Sequence, residues 1–142
     1  MPAVYTAAHL SLAVLEVLVH VTAVEDLPAD LVAIAADVPD DLPIENLRGE
    51  DLPRDWRRTP APAALADRGT AWLNAARTAV LAVPSAVVPS ETNYILNPAH
   101  HDFRRIVVGR AEPFGLDPRL RLGQGASTVI RLPTRRRRRR TR

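Results

Sequence analysis

Two stretches of this 142-residue sequence carry side chains that could do chemistry. The first is Val83 to His100, VPSAVVPSETNYILNPAH. An apolar strand from Ala79 runs into Pro84-Ser85. A polar loop follows, with Ser85, Ser90, Glu91, Asn93, Tyr94, Asn97 and His100. Pro84, Pro89 and Pro98 fix φ at their positions and remove three backbone donors. Rigidity and hydrogen-bonding capacity at a strand end suit a binding site. A surface turn set by proline and asparagine is the competing reading. The second stretch centres on Glu16, a lone carboxylate in the apolar run Leu10 to Val21. A carboxylate in such a setting must be hydrogen-bonded, paired, placed at a cleft, or neutralised. A solvated outer face shared with His20 is the alternative.

The elements that must position these groups follow from patterning. Ala3 to Thr6 reads as a short strand, and Thr6 can cap a helix over 8–21. Leu10, Val14, Leu15, Val17, Leu18 and Val21 make that helix apolar over most of its circumference. It is therefore expected to be covered on more than one side. Leu31 to Val38 alternates weakly and reads as a strand. Residues 39–62 read as loop, with Trp56, Arg57 and Arg58 as an anchor onto the core or, less simply, a stacking platform for a base. A second helix is expected over 63–78, with Leu65, Trp72, Leu73 and Ala76 inward. Strands are expected over 78–84 and 104–108, and a last edge within 112–120.

Cysteine is absent, which removes disulfides, thiol nucleophiles and cysteine-ligated metals. No metal site is expected. A cytoplasmic, reducing compartment fits. The apolar run at Leu10 has no basic flank to make it a signal peptide, and it is too short to cross a bilayer, so no membrane role is expected. All 19 basic residues are arginine. Residues 1–118 carry 9 of them against 16 acids, a formal −7, and the last 24 residues carry the other 10 with no acid. An acidic body is a poor grip for a phosphate backbone. The end, with its six consecutive arginines from Arg135 to Arg140, is expected to be a disordered tail over 121–142, after a folded domain over 1–120.

Taken together, three segments resemble the RES domain, the toxin component of RES–Xre toxin–antitoxin pairs that destroy NAD. They are Val4-Tyr5-Thr6-Ala7 with Leu10 to His20, then Leu81-Ala82-Val83-Pro84-Ser85-Ala86-Val87-Val88-Pro89, then Asn93-Tyr94-Ile95-Leu96-Asn97-Pro98-Ala99-His100 with Asp102-Phe103. The ending Glu112-Pro113-Phe114-Gly115-Leu116-Asp117-Pro118 is similar to the family's close. The resemblance implies a mixed α/β (α+β) core related to ADP-ribosyltransferases, with a mixed sheet and flanking helices around an NAD cleft. It implies cleavage of the nicotinamide–ribose bond with phosphate or water as acceptor, NAD being the substrate and no cofactor being needed. It carries over Tyr5, Glu16 and Ser85 as catalytic residues, with Tyr5 and Ser85 also touching NAD. Asn93, Asn97 and His100 are carried over as further NAD-binding residues. The implied partners are a cognate Xre-type antitoxin and a second copy of the chain.

Family members begin with a further segment that carries a Gly-Arg-Trp-Asn-like motif, whose arginine belongs to the NAD site. Here Met1-Pro2 stands directly before Val4-Tyr5-Thr6. The expectation is a domain lacking its N-terminal segment and correspondingly weak or inactive. Two other readings stay open: an inactive remnant that only binds the antitoxin, and nucleic-acid binding through the arginine tail, which steep salt dependence would reveal.

Overall fold

The computed structural model describes residues 2–21, 27–117 and 119–120. The expected arginine tail lies outside the described residues. The fold is mixed α/β. Its centre is a four-stranded sheet in the order β1-β6-β5-β4, formed by β1 (Val4–Ala7), β4 (Ile44–Asn46), β5 (Val80–Pro84) and β6 (Thr92–Leu96). β6 is antiparallel to both β1 and β5, and β4 is parallel to β5. A parallel pair needs a crossover, and the helix α2 (Ala63–Ala75) supplies it between β4 and β5. Two two-stranded ribbons complete the described residues. β2 (Val32–Ala33) pairs with β8 (Glu112–Pro113), and β3 (Ala36–Asp37) with β7 (Val107–Val108).

The central sheet is buried on both faces, which explains why β5 reads as an unbroken apolar run. Val80 and Leu96 are register partners and point to one side. There they join Leu42, Ala79 and Ile106, with Tyr94 and Phe103 packed against them. Leu81 and Ile95, the next pair, point to the other side and meet Trp72 and Leu73 of α2. The α2 end is fastened by a short chain of hydrogen bonds. Trp72 Nε1 donates to Thr78 Oγ1 at 3.2 Å, and Thr78 Oγ1 donates to the Val80 carbonyl at 3.0 Å.

Several sequence expectations are corrected. The first helix, α1, covers Leu10–Leu18, with His9 rather than Thr6 at its N-cap. Thr6 lies inside β1, where its hydroxyl donates to the Tyr94 carbonyl at 3.2 Å. α1 buries Leu12 and Leu18 but leaves Leu10, Leu15, Val17 and Val19 exposed, so its second side is uncovered. The expected strand over Leu31 to Val38 splits at Ile34-Ala35 into β2 and β3, which serve different ribbons. α2 stops at Ala75 because Ala76 turns left-handed, with φ 45°, and Ala76 is exposed rather than inward. Residues His101–Arg105 form a 3-10 helix, and only Val107–Val108 are extended. β4 arises inside the segment expected as loop. β6 arises inside the polar stretch, where a single loop was expected.

Candidate active site

The three elements that meet at Glu16 are α1, the end of β5 and the start of β6. Leu12 is fully buried one helical turn before Glu16, so Glu16 continues the inward face of α1. This settles the open choice between cleft and solvated face. The carboxylate is half-buried and points at the sheet. Ser85 Oγ donates to Glu16 Oε1 at 2.7 Å, and Asn93 Nδ2 donates to the same oxygen at 2.6 Å.

Ser85 is wholly buried, and its hydroxyl is saturated. Its proton goes to Glu16, while its oxygen accepts from the Val87 and Val88 backbone N–H groups at 3.1 and 3.0 Å. A hydroxyl has one donor and two lone pairs, so nothing remains for a ligand. Ser85 therefore acts on Glu16 and not on a bound molecule. The turn that supplies these amides is closed by Ser85 N donating to the Glu91 carbonyl and Glu91 N donating to the Val88 carbonyl, at 2.9 and 2.8 Å.

The network is directional. Turn amides orient Ser85, and Ser85 and Asn93 orient Glu16. Both donors converge on Oε1, and Oε2 has no partner among the described residues. A carboxylate fixed through one oxygen and open at the other can stabilise a cation or accept from a ligand hydroxyl without reorganising. Asn93 Oδ1 and, on the turn, Glu91 Oε2 are buried with no hydrogen-bond partner among the described residues, which is uncommon in folded proteins.

Tyr5 sits beside this network. Its register partner is Ile95, and Ala7 pairs with Asn93, so Tyr5 shares a sheet face with Asn93. Its ring is 75% exposed, free to stack on a planar ligand.

Asn97 and His100 do not join the Glu16 network. Three residues of extended strand, Tyr94–Leu96, separate Asn97 from Asn93. Four positions along a strand span about 13 Å. Asn97 is wholly buried and spent on structure. Its Nδ2 donates to the Leu73 carbonyl at 3.2 Å and its Oδ1 accepts from Ala99 N at 3.1 Å. His100 caps the 3-10 helix, with Nδ1 accepting from Asp102 N at 3.1 Å. His100, His101 and Asp102 bring candidate metal-ligand atoms within 4.8 Å of one another. The Nδ1 lone pair of His100, however, is already used on that backbone N–H. This grouping is therefore a poor metal cradle.

Sequence reasoning missed one contact at the site. Arg57 Nε donates to the carbonyl of Ala86, the residue after Ser85, at 3.0 Å. The signal was present as Trp56-Arg57-Arg58, which was expected to anchor the loop. Arg57 is the residue that does so at this turn, while Trp56 is half-buried. Two hollows lie elsewhere. One of about 370 Å³ lies between Ala29–Val32 and Pro113–Gly115, and shares no residue with the Glu16 network. The other, about 320 Å³, opens at the sheet edge where β4 stops short of β5, between Asn46–Arg48 and Pro89–Thr92.

The mixed four-stranded sheet with helices α1 and α2 is consistent with a fold of the ADP-ribosyltransferase type. The chain belongs to the RES domain family, which it matches over residues 1–117. It is 41% identical over 121 residues to a protein of Photorhabdus laumondii named Toxin Res, covering 84% of this chain and 76% of that one. A Toxin Res of Yersinia enterocolitica is 40% identical over 122 residues, covering 84% and 78%. A Sphingobium protein named Prs ADP-ribosylating toxin is 36% identical over 119 residues, covering 82% and 73%. Among the described residues, no helix is long and apolar enough to cross a membrane.

Proposed function

We propose that this chain is a toxin-type enzyme that cleaves the nicotinamide–ribose bond of NAD. The observation that carries the reading is the Glu16 carboxylate, held through one oxygen by Ser85 and Asn93 and open at the other. As nicotinamide leaves, positive charge builds on the ribose. A carboxylate fixed in advance stabilises that charge and can accept a ribose hydroxyl. Tyr5 lies on the same face, where its ring can stack on the departing base or its hydroxyl can bond the sugar. The atom balance is simple: the glycosidic C–N bond breaks, its electron pair leaves with neutral nicotinamide, and an acceptor oxygen takes its place on the ribose.

The acceptor is water or phosphate in the simplest form. The name of the Sphingobium relative supports a second form, in which a protein side chain accepts the ADP-ribose. The test is to incubate the purified chain with NAD, with and without phosphate, and follow nicotinamide release and the fate of the ADP-ribose. The reading expects nicotinamide in excess of enzyme. Absence of release under every acceptor condition would refute it. The toxin naming of the relatives supports one further part of the proposal, a toxin–antitoxin context; the proposal adds that the antitoxin is of the Xre type and that the chain acts in the cytoplasm, where NAD is plentiful. The uncovered apolar residues Val4, Leu10, Leu15, Val17 and Val19 offer area for such a partner or for a second copy.

A further inference from the structure

Ten arginines lie among the described residues. Arg48, Arg58, Arg77, Arg105 and Arg119 are all paired with carboxylates. The other five, Arg54, Arg57, Arg68, Arg104 and Arg110, make no ion pair there; of these five, Arg57 alone has a side-chain hydrogen bond among the described residues. Its Nε is committed to the Ala86 carbonyl, which fixes the guanidinium plane, and its two Nη groups have no partner among the described residues. Ala86 directly follows Ser85, the residue that holds Glu16, and consecutive Cα atoms lie about 3.8 Å apart. Glu16 and Arg57 therefore grip neighbouring residues of one turn.

We propose that Arg57 binds the phosphate groups of the dinucleotide substrate, presenting its two Nη groups while Nε keeps it on the turn. This rests on the reading that Glu16 meets the nicotinamide ribose. In such a substrate the ribose is joined through its 5′ carbon to the pyrophosphate, so an anion must lie one sugar away from Glu16. A planar guanidinium with two free donors matches phosphate bidentately. The need is also electrostatic. Residues 1–118 carry a formal −7, which repels an anionic substrate unless a fixed cation offsets it locally.

The test compares nicotinamide release from NAD with release from nicotinamide riboside, which has the same scissile bond and no phosphate. The variants are Arg57→Gln, which can still donate to Ala86, and Arg57→Lys, which keeps the charge. Arg57→Gln should lose about ten- to a hundredfold in kcat/KM on NAD, chiefly through KM, and stay unchanged on the riboside. Arg57→Lys should recover part of the loss. Equal loss on both substrates would mean that Arg57 is only a strap for the turn, and no loss on NAD would likewise overturn the proposal. The unmodified chain provides a check that needs no variant to fold: inorganic pyrophosphate should raise the apparent KM for NAD and leave that for the riboside unchanged, and an equal effect on both would overturn the proposal. Should the unmodified chain release nicotinamide from neither substrate, the enzyme reading fails, and calorimetric titration with ADP-ribose and with inorganic pyrophosphate decides Arg57 separately. Tighter binding to the unmodified chain than to Arg57→Gln upholds it, and equal or absent binding overturns it.

Discussion

At the scale of single residues, the structure separates groups with hydrogen-bonding capacity to spare from groups spent on other residues. Glu16 and Tyr5 have open valence; Ser85 and Asn97 have none. Ser85→Ala removes a donor from Glu16 and strands two turn amides. It should cost about 1–3 kcal/mol of stability and lower nicotinamide release, because Glu16 loses its orientation. Asn97→Ala also breaks two buried hydrogen bonds and should cost a similar amount of stability. Its folded fraction, however, should cleave NAD at the unmodified rate. Thermal melts together with rates corrected for folded fraction distinguish the two. A rate loss in Asn97→Ala as large as in Ser85→Ala would place Asn97 in the site.

At the scale of elements, the sequence was legible where one periodicity dominated. β5 is a continuous apolar run with a proline stop, and α2 carries Trp72 and Leu73 at the inward positions. β6 was hidden because it is a central strand with mixed duties. Asn93 and Ile95 face one side, Tyr94 and Leu96 the other, so the segment neither alternates by polarity nor reads as purely apolar. Flanking prolines and asparagines then made the whole stretch look like one loop. The family resemblance carried Asn97 and His100 over together with Asn93, and the strand between them sets Asn97 about 13 Å from the Asn93 end. The three-residue β4 was too short for any pattern to show. α2 ends without a recognisable stop signal, because a left-handed C-cap is usually glycine and here it is Ala76. Ala76→Gly should therefore raise stability by about 1 kcal/mol, since an L-residue in that region carries a steric cost of that order. A melting temperature unchanged or lowered by this substitution would contradict the geometry.

At the scale of the whole molecule, the pairing of Glu16 with Ser85 and Asn93 could not be read from spacing. These residues are 69 and 77 positions from Glu16, and only the resemblance to the RES domain put them together. The fold explains the distance. The hairpin of β5 and β6 brings Ser85 and Asn93 to one end of the sheet, and α1 leads off β1, the strand on the far side of β6, to lay Glu16 across that end. The apolar side that α1 leaves open was misread as covered, because helix patterning reports that a face is apolar and not what covers it.

The account turns on the Glu16 carboxylate stabilising charge on the ribose, and the most direct measurement is the single-turnover rate of nicotinamide release by Glu16→Gln at saturating NAD. The amide keeps the size of the side chain and an oxygen to accept from Ser85 and Asn93, but it carries no charge. The account predicts a rate about a hundred- to a thousandfold below the unmodified chain, with NAD affinity changed little. A Glu16→Gln chain that releases nicotinamide at the unmodified rate would contradict it.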